Sequence, residues 1–208
     1  MLRQAAGAVV LATSLLGLAG CEEEVAMAIA RPSTAQGAVA IFAGGCFWCM
    51  EQDFEALPGV IEAESGYTGG RTANPTYHQV GHGGTGHTEA VRVIYDPDRV
   101  SYAQLVEYFW RHIDPTVKDR QFCDTGDAYR TGIYWRTEEE RRVAEASRDA
   151  LLASKRFPVI HTEIKPADTF WMAEEYHQNY YKTNAITYGY YRFACGRDAR
   201  VRQLWGGS

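Results

Sequence analysis

The chain has 208 residues, with 21 Lys and Arg against 26 Asp and Glu and a formal charge of −5 at pH 7. That length holds one domain with a sizeable apolar core, and a mildly acidic chain without a basic run excludes nucleic acid as the natural partner. The five cysteines (Cys21, Cys46, Cys49, Cys123 and Cys195) are too widely and unevenly spaced for a small disulfide-stapled scaffold.

Residues 1–20 stand apart from the fold. Arg3 precedes an uncharged, mostly apolar stretch from Ala5 to Leu18, followed by Leu18-Ala19-Gly20-Cys21. This is the layout of a secretory signal with a small-residue cleavage site, and it is shorter than the ~20 apolar residues a membrane span needs. The Leu-Ala-Gly-Cys ending resembles a bacterial lipoprotein signal, which implies cleavage before Cys21, lipidation of that residue and a stable acyl anchor. A plain signal peptide with an incidental Cys21 is the alternative. The expectation is an exported protein, lipid-anchored to a membrane and facing the periplasm. Glu22 is not the aspartate associated with inner-membrane retention, which favours the outer membrane. Cleavage removes Arg3, leaving 188 residues and a charge of −6.

Residues 21–37 read as a tether and 38–208 as the domain. Val39–Phe42 is a first strand; it breaks at Gly44-Gly45 and leads into a helix over Cys46–Leu57 that Pro58-Gly59 ends. Val60–Ser65 is a second strand running into the turn-rich stretch Gly66–Gly86. Glu89–Tyr95 alternates, with Val91, Val93 and Tyr95 on one face. Ser101 is a helix N-cap, and Leu105, Tyr108, Phe109 and His112 make that helix's apolar face. A polar loop over Asp114–Ala128, carrying Cys123, precedes a short strand at Gly132–Trp135. Thr137 and Glu140 form a capping-box pattern opening a helix to Ser154. A strand within Phe157–Lys165, a helix over Ala173–Lys182 and an irregular tail from Asn184 to Ser208 complete the chain. Hairpin-like turns between strands predict an α+β two-layer sandwich, with a mixed, mainly antiparallel sheet covered by helices, a ferredoxin-like core and a long irregular C-terminal tail.

Chemistry concentrates at the first strand–helix junction. A cysteine there sits beside free backbone N–H groups and the positive end of a helix dipole, which favour the nucleophilic thiolate. Cys46 and Cys49, spaced i and i+3, are compatible with disulfide geometry. A single CxxC gives no structural zinc site. Phe47 and Trp48 can form an apolar wall for a methyl or thioether group. Glu89, at the head of the clearest strand, can hold a carboxylate in the mouth of a site. Of His78, His82 and His87, only the first two have helical spacing, and the surrounding glycines argue against a helix, so no metal is expected.

The stretches Gly45-Cys46-Phe47-Trp48, Gly66-Tyr67-Thr68-Gly69-Gly70, Asn74-Pro75-Thr76-Tyr77 and Gly86-His87-Thr88-Glu89-Ala90 follow one another in this order along the chain. With Asp124, Tyr129-Arg130 and Glu175-Tyr176-His177-Gln178, the pattern resembles the A-type peptide-methionine sulfoxide reductases over about residues 38–205. The resemblance implies reduction of the S epimer of methionine sulfoxide, free or in proteins. It implies no cofactor, a monomer, and recycling by thioredoxin or a thioredoxin-like reductant. Cys46 would attack the sulfoxide sulfur and Glu89, protonated, would serve its oxygen. Tyr77 and Tyr129 would orient that oxygen, Asp124 would join through water, and Phe47 and Trp48 would hold the substrate methyl group. The resulting Cys46 sulfenic acid condenses with a thiol. The family commonly uses a tail cysteine, here Cys195, but Cys49 stands where many members have glycine, and both remain open. Cys123 is expected to be an inert neighbour. Two rival readings are a thioredoxin-like dithiol oxidoreductase and an anchored binding module without turnover. The first predicts a βαβ unit ahead of the CxxC, where this chain has only the tether.

Overall fold

The computed structural model describes residues 37–206. The signal segment, Cys21 and all of the tether except Gly37 lie outside the described residues. In chain order the elements are β1 (Ala38–Gly44), α1 (Phe47–Glu55), β2 (Val60–Thr68), α2 (Tyr77–Gly81), β3 (Thr88–Tyr95) and α3 (Tyr102–Trp110). Then come the two-residue strands β4 (Arg120–Gln121) and β5 (Asp124–Thr125), followed by β6 (Thr131–Trp135) and α4 (Glu138–Ala153). The last part holds β7 (Glu163–Pro166), β8 (Trp171–Met172), α5 (Tyr180–Thr183), α6 (Ala185–Cys195) and α7 (Arg197–Trp205). The main sheet runs β7-β6-β1-β3-β2-β8, antiparallel throughout except for the parallel β6–β7 pair. That pair is the one joined by a helical crossover, as parallel pairing requires. The architecture is the expected α+β sandwich.

β1 lies inside the sheet and is buried on both faces. Ala40 and Phe42 point to the helical layer, where Phe42 stacks on Phe54 at 4.9 Å and Phe109 at 5.2 Å between ring centres. Ile41 and Ala43 point the other way and pack with Ala90 and Tyr134. On β3, Val91, Val93 and Tyr95 face the helices as their alternation requires. Glu89 has the same parity, so the strand's pleat delivers its carboxylate to the helical side. Ser101 caps α3 by accepting the Gln104 N–H, and Gln104 closes the box. Thr137 accepts the Glu140 N–H, but the Glu140 carboxylate bonds the Arg136 N–H instead of closing onto Thr137.

Three stretches differ from expectation. His78 lies on α2 and His82 caps its end, so the glycines do not prevent a helix there; a Thr76–Gln79 capping box nucleates it. The two rings stack on each other at 3.9 Å. Over Ala173–Lys182 the chain forms a 3-10 turn at Glu175–His177 and the short α5, not one helix. Domain contacts break it: Gln178 bonds both Ser65 N–H and Ser65 C=O, and the Glu51 carboxylate takes the Asn179 N–H at 2.7 Å, with Asn179 at φ +53°. The tail is helical, not irregular. α6 directs Tyr188, Tyr191, Arg192 and Cys195 inward at i, i+3, i+4 and i+7, which is one face of a helix. Gly196, at φ +70°, ends it and starts α7.

Candidate active site

The turn between β1 and α1 admits no side chain. A Cβ on Gly44 would lie 2.3 Å from Met50 Sδ, and Gly45 takes φ +84° against Gln121. This tight turn places Cys46 as the N-cap of α1. Phe47 N–H, one of the helix's free amides, donates to Glu89 Oε2 at 3.0 Å. A carboxylate at a helix N-terminus is an ordinary cap, but this one is buried, with 2 % of Glu89 exposed. Burial lifts its carboxyl to about 8, with Asp124 and Cys49 adding to the rise and the Phe47 amide opposing it. Near neutrality Glu89 is therefore largely protonated and can donate a proton.

Cys46 does not follow the simple helix-terminus argument. It is 6 % exposed, and burial pushes its thiol well above the usual range. The neighbouring Cys49 and Glu89 add to the rise, while a hydrogen bond with Tyr191 opposes it. Desolvation and nearby negative charge outweigh the dipole. Cys49, also buried, moves the other way to about 7. Its hydrogen bond with Cys46 pulls it down against burial, helped by the positive charge of Arg197 and Arg192. Of the two, Cys49 is thus the more readily ionised and Cys46 the one that keeps its proton. Below them Asp53 binds Arg192 at 2.8 Å, and Arg197 is fully buried against the carbonyls of Gly44 and His112.

The aromatic wall lies on the other side. Phe47 is buried against Tyr67, Tyr77 and His177, with ring centres 5.8, 6.2 and 5.1 Å away. Trp48 is half-buried, stacks face to face on Tyr180 at 3.9 Å, and donates its indole N–H to His177 Nδ1 at 3.1 Å. This bond makes Nδ1 the acceptor and leaves the ring proton on Nε2. Glu174 holds the neighbouring segment, accepting Tyr77 N–H and Tyr67 O–H, both at 2.9 Å. Tyr77 is raised to about 12 by burial and then by Glu89, with a hydrogen bond from Tyr129 opposing. Burial, followed by Glu89, raises Tyr129 as well. Both phenols are therefore neutral donors beside Glu89. Asp124 Oδ2 accepts the Tyr191 hydroxyl at 2.6 Å.

A nucleophile, a protonated acid and two phenol donors thus meet at one apolar wall. The family model for peptide methionine sulfoxide reductase matches residues 38–208. The chain belongs to this family. Among curated proteins, a peptide methionine sulfoxide reductase of Caulobacter vibrioides is 47 % identical over 199 residues, covering 96 % of this chain and 98 % of that one. One from Streptococcus agalactiae is 54 % identical over 168 residues, covering 80 % and 98 %. Among solved structures, methionine sulfoxide reductase A of Corynebacterium diphtheriae superposes with a TM-score of 0.66 at 35 % identity, covering 74 % of this chain and 77 % of that one. Reduced Mxr1 of Saccharomyces cerevisiae gives 0.68 at 27 % identity, covering 73 % and 88 %.

Within this reductase the two candidate resolving cysteines differ in state. Cys195 forms a disulfide with Cys123, their Cα atoms 5.0 Å apart, whereas Cys46 and Cys49 are both reduced. This corrects one expectation: Cys123 is not an inert neighbour but the disulfide partner of Cys195. The inward face of α6 turns Cys195 toward the β4–β5 hairpin, one helical turn beyond Tyr191. Tyr191, Glu174 and Arg197 were missed in the sequence. The spacing of Tyr188, Tyr191, Arg192 and Cys195 was the available signal for Tyr191; Glu174 and Arg197 carry none.

Proposed function

We propose that this reductase reduces the S epimer of methionine sulfoxide through Cys46, with Cys49 as the resolving thiol. The observation that carries the reading is the Glu89 carboxyl, buried, bonded to the Phe47 amide and placed with Tyr77 and Tyr129 beside Cys46. The substrate methyl group packs on Phe47 and Trp48. The sulfoxide oxygen accepts hydrogen bonds from protonated Glu89 and the two tyrosines, which makes the sulfur electrophilic. The Cys46 sulfur attacks it, the oxygen passes to Cys46 as a sulfenic acid, and methionine leaves. Cys49 then attacks that sulfur, forming the Cys46–Cys49 disulfide and releasing water. Its contact with Cys46 and its lowered pKa support this role over Cys195. A thioredoxin-like dithiol returns two electrons and two protons to the pair. The thioredoxin-like alternative leaves Glu89 and Tyr77 without a task.

The test is dithiothreitol-driven turnover of the separated epimers. Wild type should reduce the S epimer, and Cys46→Ser should reduce neither. Activity on neither epimer by wild type, or undiminished activity in the variant, would reject the reading. The same proposal includes export and an acyl anchor on Cys21, supported by the Leu-Ala-Gly-Cys ending. Intact mass of the membrane-extracted protein should show a chain beginning at an acylated Cys21; a soluble, unmodified chain would refute the anchor.

A further inference from the structure

Three consecutive residues, Phe122 and Cys123 of the β4–β5 turn and Asp124 at the start of β5, each grip the C-terminal helices. Phe122, at φ +52°, lies under the Arg197 guanidinium at 4.6 Å; Cys123 is bonded to Cys195; and Asp124 takes the Tyr191 hydroxyl at 2.6 Å. Tyr191 also packs against the buried cluster of Cys46, Cys49 and Tyr188. Tyr191 lies one turn before Cys195 on the same helix face, and Asp124 directly follows Cys123, so the disulfide spans the base of the Tyr191–Asp124 contact. Cys123 is exposed, whereas Cys46 and Cys49 are buried.

We infer that the Cys123–Cys195 disulfide is a clasp that holds Tyr191 and Asp124 in place against Cys46, and that it exchanges no electrons with the Cys46–Cys49 pair. The inference rests on the reductase reading and adds positioning roles to Cys123 and Cys195. The disulfide fixes α6 to the loop covalently, so the Tyr191 hydroxyl is held at the nucleophile without ordering a free helix at each turnover. Asp124 also shields the clasp. Its carboxylate lies within 4.8 Å of both sulfurs, and a negative charge there repels the thiolate that must attack to open the bond. The dithiol that reduces the Cys46–Cys49 disulfide therefore leaves the clasp closed.

Electron counting tests the second half. Fully reduced, desalted enzyme mixed with excess S-sulfoxide and no reductant should yield one methionine per chain, from the two electrons of Cys46 and Cys49. Two methionines per chain would mean that Cys123 and Cys195 feed the site, which overturns the inference. The positioning half is read from single-turnover rates of Cys123→Ser/Cys195→Ser, Tyr191→Phe and the combined variant. The first two should each slow methionine formation several-fold, and the combined variant should be no slower than Tyr191→Phe alone. Unchanged rates in the double serine variant, or losses that multiply in the combined one, would refute the clasp. Should the double variant not fold, wild type is compared with the clasp closed and opened by limited dithiothreitol, its state mapped by peptide mass spectrometry. Closed enzyme should be several-fold faster; equal rates would refute the inference. Enzyme that makes no methionine in either state contradicts the reductase reading instead.

Discussion

Glu89 shows how a single side chain couples activity to stability. Its carboxyl stays protonated up to about 8, so the rate of methionine formation should fall as pH rises through that value. Glu89→Gln keeps a hydrogen-bond donor and should retain most activity while losing the alkaline limb. Glu89→Ala leaves the sulfoxide oxygen without that donor and should cost about 100-fold or more in kcat, on the scale of oxyanion donors. Equal losses in the two variants would count against a donor role. A folded pKa above the unfolded one stabilises the fold below about 4.5, and that contribution is lost as pH rises through about 8. Glu89→Gln should therefore raise the melting temperature more at about pH 9 than at about pH 5. The carboxylate's position was legible in the alternation of β3. The fate of Cys46 was not, because desolvation and the charges of Glu89 and Cys49 come from residues brought together only by folding.

α6 is the element that sequence reading missed, and its composition explains why. It holds Thr187, Gly189 and four aromatic residues among its eleven, a set with weak intrinsic helix propensity. Its stability comes from tertiary partners: Tyr188 to Gln52, Tyr191 to Asp124, Arg192 to Asp53, and Cys195 to Cys123. The Ser101 cap and the β3 pattern were legible because their causes are local. Breakage of the Ala173–Lys182 helix was not, since Glu51 and Ser65 impose it from other elements. The clasp closes a loop of 72 residues, so Cys195→Ser should lower folding stability by about 4 kcal/mol in the chain-entropy account. A denaturant midpoint with the m-value unchanged measures it. A loss below about 0.5 kcal/mol would show that α6 is held by its other contacts alone.

Across the molecule, one sheet supplies the chemistry with fixed points. β1 ends at the cysteine turn, the adjacent β3 brings Glu89, β2 brings Tyr67, and α6 closes over the cysteines from the far end of the chain. The α+β class followed from the order of strands and helices, whereas the convergence of Cys46, Tyr77, Glu89, Asp124 and Tyr129 became legible through family motifs read jointly. Among the described residues no helix is long and apolar enough to cross a membrane; the proposed attachment is the acyl anchor on Cys21. The central claim is that oxygen passes from sulfoxide sulfur to Cys46 and that Cys49 then removes it. Its most direct test is the Cys49→Ser variant, mixed with the S epimer and the sulfenic-acid trap dimedone without reductant. The account predicts methionine and a dimedone adduct on Cys46 in equal amounts, and neither in Cys46→Ser. Methionine formed without an adduct on Cys46, or with Cys46 in a disulfide to Cys195, would contradict it.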